Sequence, residues 1–535
     1  MRVTIVTNKI FDVVVVGAGF AGISAVHKLK KQGLKTIVFE AGGGVGGTWY
    51  FNKYPGARCD THSMEYSYQF SEELQQDWEW SEKYATQPEI LRYLDHTVDR
   101  FNLRENIRLN TRVEKLIWKQ DDSQWEVSIS TGELFLTDYV VMATGCLSKP
   151  NLPNIRGIDT FSGEIYHTSR WPEKKPDFAS KNVGIIGTGS SGIQCIPLIA
   201  KEANHLIVYQ RTPNYSVPAR NEVLSEDFVK DIKSRYQLFR EDNYKQGFGL
   251  NLPLNDISAL DVSEEERTEA FERQWQKGGL GFLTSFNDIL FNMESNVHAQ
   301  NFIRNKIKTI VKNPLVAKKL MPNTPVACKR LCVDTDYYET FNLPNVELVD
   351  IKMNPIDFIK SKSVVLGNTE HKLDTLIIAT GFDAMTGALT NIEIIGKDGE
   401  SIKDKWKTGP SAYLGIAISG FPNFFMITGP GSPSVLSNMV PSIEQHVNWI
   451  SDCIKFLKNK NFVSIEAELN AQHSWMEKVN KISDQTIYPH CQSWYLGTNI
   501  KGKKQAFTAY LGVPPYIDEC REVVDSGYKG FYLSK

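Results

Sequence analysis

Two glycine-rich hexapeptides carry the residues best suited to chemistry: Gly17-Ala18-Gly19-Phe20-Ala21-Gly22 and Gly187-Thr188-Gly189-Ser190-Ser191-Gly192. Each matches a G-x-G-x-x-G turn, in which bare backbone approaches a pyrophosphate and the next helix offers its first N–H groups to it. Charge further along separates the two. Glu40 lies 23 residues after Gly17, and Arg211 lies 24 residues after Gly187. A carboxylate there accepts hydrogen bonds from a free ribose 2′-hydroxyl and repels a 2′-phosphate; a guanidinium does the reverse. The first turn is therefore expected to hold FAD or NAD, and the second NADP. A lone G-x-G-x-x-G is an ordinary turn and a lone arginine a surface charge, so the surrounding elements must decide.

Those elements agree. The β-branched run Phe11–Val16 precedes the first turn, a helical stretch Ile23–Lys31 follows it, and a second strand Thr36–Phe39 ends on Glu40. The order recurs as Val183–Ile186, a helix Ile193–Ala200, and a strand Leu206–Gln210 ending on Arg211. Each half later returns through a strand with Ala-Thr-Gly, at Tyr139–Gly145 and Leu376–Gly381. Between the second nucleotide motif and the second of these strands, Glu222–Leu320 is charged, with apolar residues at helical spacing (Phe228, Ile232, Tyr236, Phe239; Phe302, Ile303, Ile307, Ile310), which predicts a helical insertion. A long helix with Ile443, Val447, Ile450 and Ile454 on one face follows Phe421–Gly431 and is expected to complete the first unit.

The expected fold class is thus α/β, with two dinucleotide-binding (Rossmann-like) domains, both discontinuous, and a helical insertion. The FAD domain is expected over 1–150 and 383–535, the NADP domain over 151–218 and 328–382, and the insertion over 219–327. With 535 residues the chain is long enough for about three folding units. Sixty Lys+Arg against 62 Asp+Glu leave a net charge of −2, which excludes a basic footprint for nucleic acid. There is no apolar run long enough for a membrane span, and Phe11–Val16 is too short for a signal peptide. The eight cysteines are scattered; Cys328 and Cys332 have a C-x3-C spacing that fits neither a zinc knuckle nor a redox pair. Reduced thiols in a cytoplasmic protein are expected; its oligomeric state is open, with a monomer favoured.

Further segments narrow the chemistry. Phe161-x-Gly163-x-x-x-His167-x-x-x-Trp171-Pro172 precedes the second nucleotide unit. Gly46-Gly47-Thr48-Trp49 continues through Tyr54-Pro55-Gly56 to Asp60. Cys328-Lys329-Arg330-Leu331 is followed by Asp334 and Tyr337-Tyr338-Glu339, and Ser493-Trp494-Tyr495-Leu496-Gly497-Thr498-Asn499 by Gly502-Lys503. Together these resemble the type I Baeyer–Villiger monooxygenases, most closely the phenylacetone and cyclohexanone enzymes, from about Phe11 to Phe531.

The resemblance implies FAD and NADPH as cofactors, and a ketone and O2 as substrates. It implies a reaction that yields an ester or lactone through a C4a-peroxyflavin. Arg330 would reach the flavin and stabilise the peroxide and the developing oxyanion, with Asp60 holding the guanidinium. Such preorganised charge is usually the largest catalytic contribution, and arginine keeps it at any working pH. Gly47, Thr48, Trp49, Tyr50 and Phe51 would line the flavin, with Arg58, Cys59, Tyr66 and Met439 nearby. Lys329, Arg211 and Thr212 would contact the NADP 2′-phosphate, and Trp494 the nicotinamide–ribose region. Ser434, Val435 and Leu436 would shape the ketone pocket, and His167, in the linker, would have a conformational role. Tyr166 and Trp171 are expected to pack. On residue type alone, Asp60 reads as a loop acid, Lys329-Arg330 as a surface pair and His167 as a core histidine.

Three rivals use the same nucleotides. A flavin-containing or N-hydroxylating monooxygenase would lack the Trp-Pro ending and the Lys-Arg segment. A disulfide reductase needs a cysteine pair beside the flavin, where only Cys59 lies near the glycine motifs. A redox sensor would bind both nucleotides and respond to no ketone.

Overall fold

The computed structural model describes residues 11–503, 506–507 and 509–535. The first glycine turn sits where expected, between β1 (Phe11–Val16) and α1 (Phe20–Lys31), with β2 (Thr36–Phe39) beside β1. Val13, Val14 and Val15 are fully buried, because both faces of this parallel strand are covered. Each such side chain contributes about 1.5–3 kcal/mol by leaving water. One face carries α1, and the long helix Met439–Lys460 packs against that helix, with Ala25 and Leu29 meeting Val447 and Ile450.

The two nucleotide units share one topology. In the first sheet the parallel strands run Ile107–Arg108, Thr36–Phe39, Phe11–Val16, Leu134–Met142. In the second they run Val346–Asp350, His205–Gln210, Asn182–Ile186, Thr375–Ile378, with Glu164–His167 at the far edge. Both sequences are discontinuous: Phe424–Met426 returns to pair with Leu134–Met142, and Thr375–Ile378 lies beside Asn182–Ile186. The Ala-Thr-Gly triplets, expected within strands, follow them: the strands stop at Met142 and Ile378. Ala143 and Ala379 then press their carbonyls against the glycine turns, 2.6 Å from where a Cβ on Gly17 would stand and 2.4 Å for Gly187.

The insertion is helical, with helices at Glu226–Ser234, Tyr236–Lys245, Glu264–Lys277, Met293–Ile310 and Pro314–Leu320. Ile232, Tyr236, Ile303 and Ile307 are buried as their spacing predicts, whereas Phe228 is 44% exposed and is no part of that face. Buried Arg240 docks the insertion on the first unit: its guanidinium donates to Gln75 Oε1 at 2.9 Å, Glu65 O at 3.2 Å and Ser67 Oγ at 2.6 Å.

The chain crosses between the units twice, and the two crossings lie side by side. Asn151 donates its N–H to Gly381 O at 2.9 Å, and Asp383 its own to Lys149 O at 2.9 Å.

Candidate active site

Arg330 is rooted in the second half of the chain and reaches into the first. The strand Cys332–Asp334 pairs with Ser216–Pro218, and Asn214 Nδ2 donates to Arg330 O at 3.0 Å, fixing its backbone. The side chain then meets Asp60 in a bidentate pair, Nε to Oδ2 at 2.8 Å and Nη2 to Oδ1 at 2.7 Å. Nη1 donates to Val435 O at 3.2 Å. The resemblance implied this pairing across 270 positions. Burial works against the Asp60 carboxylate, but the charge and N–H groups of Arg330 more than offset it and hold the carboxyl below its ordinary range. Burial likewise disfavours the guanidinium, and Asp60 overrides it, so Arg330 stays protonated. The side chains keep 28% and 18% exposure, so the pair faces an accessible space rather than a sealed core.

Around this pair the predicted residues fall into groups. Ser434, Val435 and Leu436 form a short buried turn; Ser434 Oγ donates to Thr428 O at 3.2 Å and lies near the sulfurs of Cys146 and Met385. Trp49 Nε1 donates to Tyr66 Oη at 3.2 Å, and the Tyr50 and Phe51 rings meet edge to face. Thr48–Phe51 is a single helical turn, entered through Gly47. Cys59 is buried beside Asp60, whereas Arg58 turns away from the pair to Glu82, at 3.2 Å. Met439 opens the long helix that follows the 434–436 turn. His167 ends the edge strand of the second sheet; its Nδ1 accepts from Ser169 N at 3.1 Å. Tyr166 and Trp171 pack together, ring centroids 5.4 Å apart, and Trp171 N reaches Phe51 O at 3.4 Å.

The glycine turns fit nucleotides. A Cβ on Gly19 would meet only Gly47, at 3.5 Å, and one on Gly189 would meet nothing within 4 Å: both turns keep an open face. Gly22 and Gly192 are closed instead, since a Cβ would stand 1.8 Å from Gly17 O and 2.4 Å from Gly187 O. Glu40 receives N–H groups from Ala18 at 2.7 Å and Gly42 at 2.6 Å, which hold its carboxylate at the end of β2. These contrasts give a prediction. Gly22→Ala is expected to push α1 off its strand and leave a purified protein without yellow colour. Gly189→Ala is expected to fold and melt normally but to bind NADP at least about tenfold more weakly. Absorbance at 450 nm, thermal melts and nucleotide titration check both.

At the second unit Arg211 is exposed, and Thr212 O accepts from Thr188 Oγ1 at 3.2 Å. Among the described residues neither Arg211 nor Lys329 forms a salt bridge with a carboxylate. Lys329 is held below the ordinary lysine pKa by burial first, then by Arg211 and by Lys352. Lys352 was not legible in the sequence as part of this group. It arrives because Val346–Asp350 pairs with His205–Gln210, so the two strands deliver Lys352 and Arg211 side by side. Three cationic side chains thus gather near one strand end.

This architecture is found in known proteins. A family model described as pyridine nucleotide-disulphide oxidoreductase matches residues 14–246. The chain is 43% identical to cyclohexanone 1,2-monooxygenase of Acinetobacter sp, over 97% of this chain and 96% of the relative. It is 40% identical to a Baeyer-Villiger monooxygenase of Pseudooceanicola batsensis, over 97% and 95%. It belongs to the Baeyer–Villiger monooxygenases.

The crystal structure of cyclohexanone monooxygenase from Rhodococcus sp. Phi1 bound to NADP+ superposes with a TM-score of 0.97 at 43% identity, covering 99% of this chain and 100% of that one. OTEMO in complex with FAD and NADP superposes with a TM-score of 0.95 at 38% identity, over 99% and 100%. A phenazine N-monooxygenase of Lysobacter antibioticus is also similar, 42% identical over 98% of this chain and 97% of the relative. This Baeyer–Villiger monooxygenase is accordingly an FAD- and NADPH-dependent oxidoreductase with two Rossmann-type domains. Among the described residues no helix is long and apolar enough to cross a membrane.

One expectation is overturned. Cys328 and Cys491 are joined in a disulfide with Cα atoms 6.2 Å apart, so two of the eight thiols are not free. The partner of Cys328 is not the nearby Cys332 but a cysteine 163 residues away, a juxtaposition only the fold creates. The other six cysteines are free and buried.

Proposed function

We propose that this monooxygenase oxidises cyclic ketones to lactones, with Arg330 as the charged group that faces the reacting oxygen and Asp60 as its positioning partner. The observation that carries this reading is the bidentate Arg330–Asp60 pair, which leaves Nη1 on the Val435 carbonyl at the Ser434–Leu436 turn. When bound, FAD reduced by NADPH activates O2 for transfer to the ketone. The protein's part is to bind, orient and shield. A guanidinium fixed before reaction stabilises negative charge as it develops on oxygen, without the cost of reorienting solvent. The buried Val435 and Leu436 give the turn an apolar wall beside that charge. Gly17–Gly22 with Glu40 would hold FAD, and Gly187–Gly192 with Arg211, Thr212 and Lys329 would hold NADPH.

A cyclic ketone is favoured over a linear one by the names of two relatives, the cyclohexanone enzyme and a cyclopentanone 1,2-monooxygenase 36% identical to this chain. Heteroatom oxidation is the second reading, favoured by the phenazine N-monooxygenase relative. The test is NADPH consumption with a panel of cyclic, aryl and linear ketones and phenazine, with each product identified by mass. A lactone from the cyclic ketones at the highest kcat/KM is expected. An N-oxide as the only oxygenated product would replace this reading with the second.

A further inference from the structure

The disulfide joins two segments that this site depends on. Cys328 is fully buried and directly precedes Lys329 and Arg330. Cys491 is partly exposed and stands just before Ser493, Trp494 and Tyr495. Tyr495 lies against the Arg330 guanidinium. The connection that carries these residues runs between the helices Leu469–Asp484 and Val513–Asp525, and among its described residues the helical structure is two short 3-10 turns. A segment of this kind is held by point contacts rather than by a hydrogen-bonded ladder. They include Tyr510 N to Ser432 O at 2.7 Å, Asn499 Nδ2 to Phe382 O at 2.8 Å, and Lys503 Nζ to Asp383 Oδ1 at 2.7 Å. The crosslink is the one covalent anchor among them.

We propose that Cys328–Cys491 is a thiol-responsive clamp: intact, it holds the Trp494–Tyr495 segment on the Lys329–Arg330 segment, and a dithiol reductant opens it and lowers the affinity for NADP+. The proposal rests on the reading that Lys329 and Trp494 face the nicotinamide nucleotide. The exchange balances in two steps. A thiolate of the dithiol attacks the sulfur of Cys491, the partly exposed residue of the pair, and Cys328 leaves as a thiolate and takes up a proton. The second thiol of the reductant then displaces Cys491, so that the reductant closes into a cyclic disulfide as the protein gains two thiols. Cys332, four residues from Cys328, does not divert this exchange. Burial pushes its thiol up to about 12, and its sulfur is occupied by Asn214 Nδ2 at 3.1 Å.

Linkage makes the clamp testable from both ends. If the crosslink favours NADP+, NADP+ must favour the crosslink by the same factor. With the FAD holoenzyme, the oxidised form is expected to bind NADP+ roughly tenfold more tightly than the form reduced with dithiothreitol. Saturating NADP+ is expected to shift the dithiothreitol concentration at half-reduction, read from alkylated peptides by mass, by that same factor. A Cys491→Ser enzyme is expected to match the reduced wild type and to ignore the reductant. Equal NADP+ affinity in oxidised and reduced enzyme, with Lys329→Ala still weakening it, would overturn the clamp alone. If Lys329→Ala leaves the oxidised enzyme's affinity unchanged, the nucleotide reading fails and takes the clamp with it. A wild-type enzyme isolated without reductant whose peptides show Cys328 and Cys491 as free thiols also overturns it.

Discussion

An Arg330→Ala enzyme is expected to keep its FAD and to go on consuming NADPH, yet to form lactone at least about 10²–10³-fold more slowly. The electrons are expected to appear as hydrogen peroxide instead. Arg330 donates through Nε, Nη1 and Nη2 at once. Alanine removes the charge and leaves the Asp60 carboxylate partly buried with no cation. Arg330→Lys is expected to recover little, because an ammonium cannot span both Asp60 oxygens as the planar fork does. Asp60→Asn tests the partner separately. It keeps the shape but loses the attraction, so the guanidinium should drift and the ratio of peroxide to lactone should rise. The measurement is product by mass together with peroxide released per NADPH. Lactone formation at near wild-type rate in Arg330→Ala would remove Arg330 from the reaction.

The second large effect is expected in the choice of nicotinamide cofactor. Arg211→Ala with Lys329→Ala is expected to lower kcat/KM for NADPH by about 100-fold, or roughly 2.8 kcal/mol, and to change kcat/KM for NADH little. The reason is the cluster itself: burial first, and then Arg211 and Lys352, depress the pKa of Lys329, and a 2′-phosphate would offset the charge repulsion. The sign of the pH dependence follows. The free enzyme holds the Lys329 proton less tightly than the complex does, so NADPH affinity falls as pH rises through the lowered lysine pKa. Lys329→Arg is expected to flatten that limb, since arginine does not titrate there. An unchanged NADPH-to-NADH preference in the double variant would place the 2′-phosphate elsewhere.

The two nucleotide units were legible because their signals are local. A glycine turn, the strand before it and the helix after it lie within about thirty residues. Charge at positions 40 and 211 could be compared without a structure. The Ala-Thr-Gly segments were noticed, but their place beyond the strand ends needed the contact of Ala143 and Ala379 with the glycine turns. Contacts between distant segments were legible only through family resemblance, as for Arg330 and Asp60, or not at all. Lys352 enters through strand pairing. Arg58 follows Glu82, which no spacing rule indicates. The Cys328–Cys491 bond defeats any inference from local cysteine spacing. Phe228 shows the opposite failure: helical periodicity is present and Ile232 one turn on is buried, but the Phe228 side chain meets solvent.

The paired crossings at 149–151 and 381–383 limit how the halves of the molecule can rearrange. One connecting thread permits twisting as well as bending. Two threads bonded to each other resist twist, leaving a swing about a single line as the soft direction. Asn499 and Lys503 grip Phe382 and Asp383 on that line. Any swing is thereby geared to the C-terminal connection, much as a door's pivot drives its own latch.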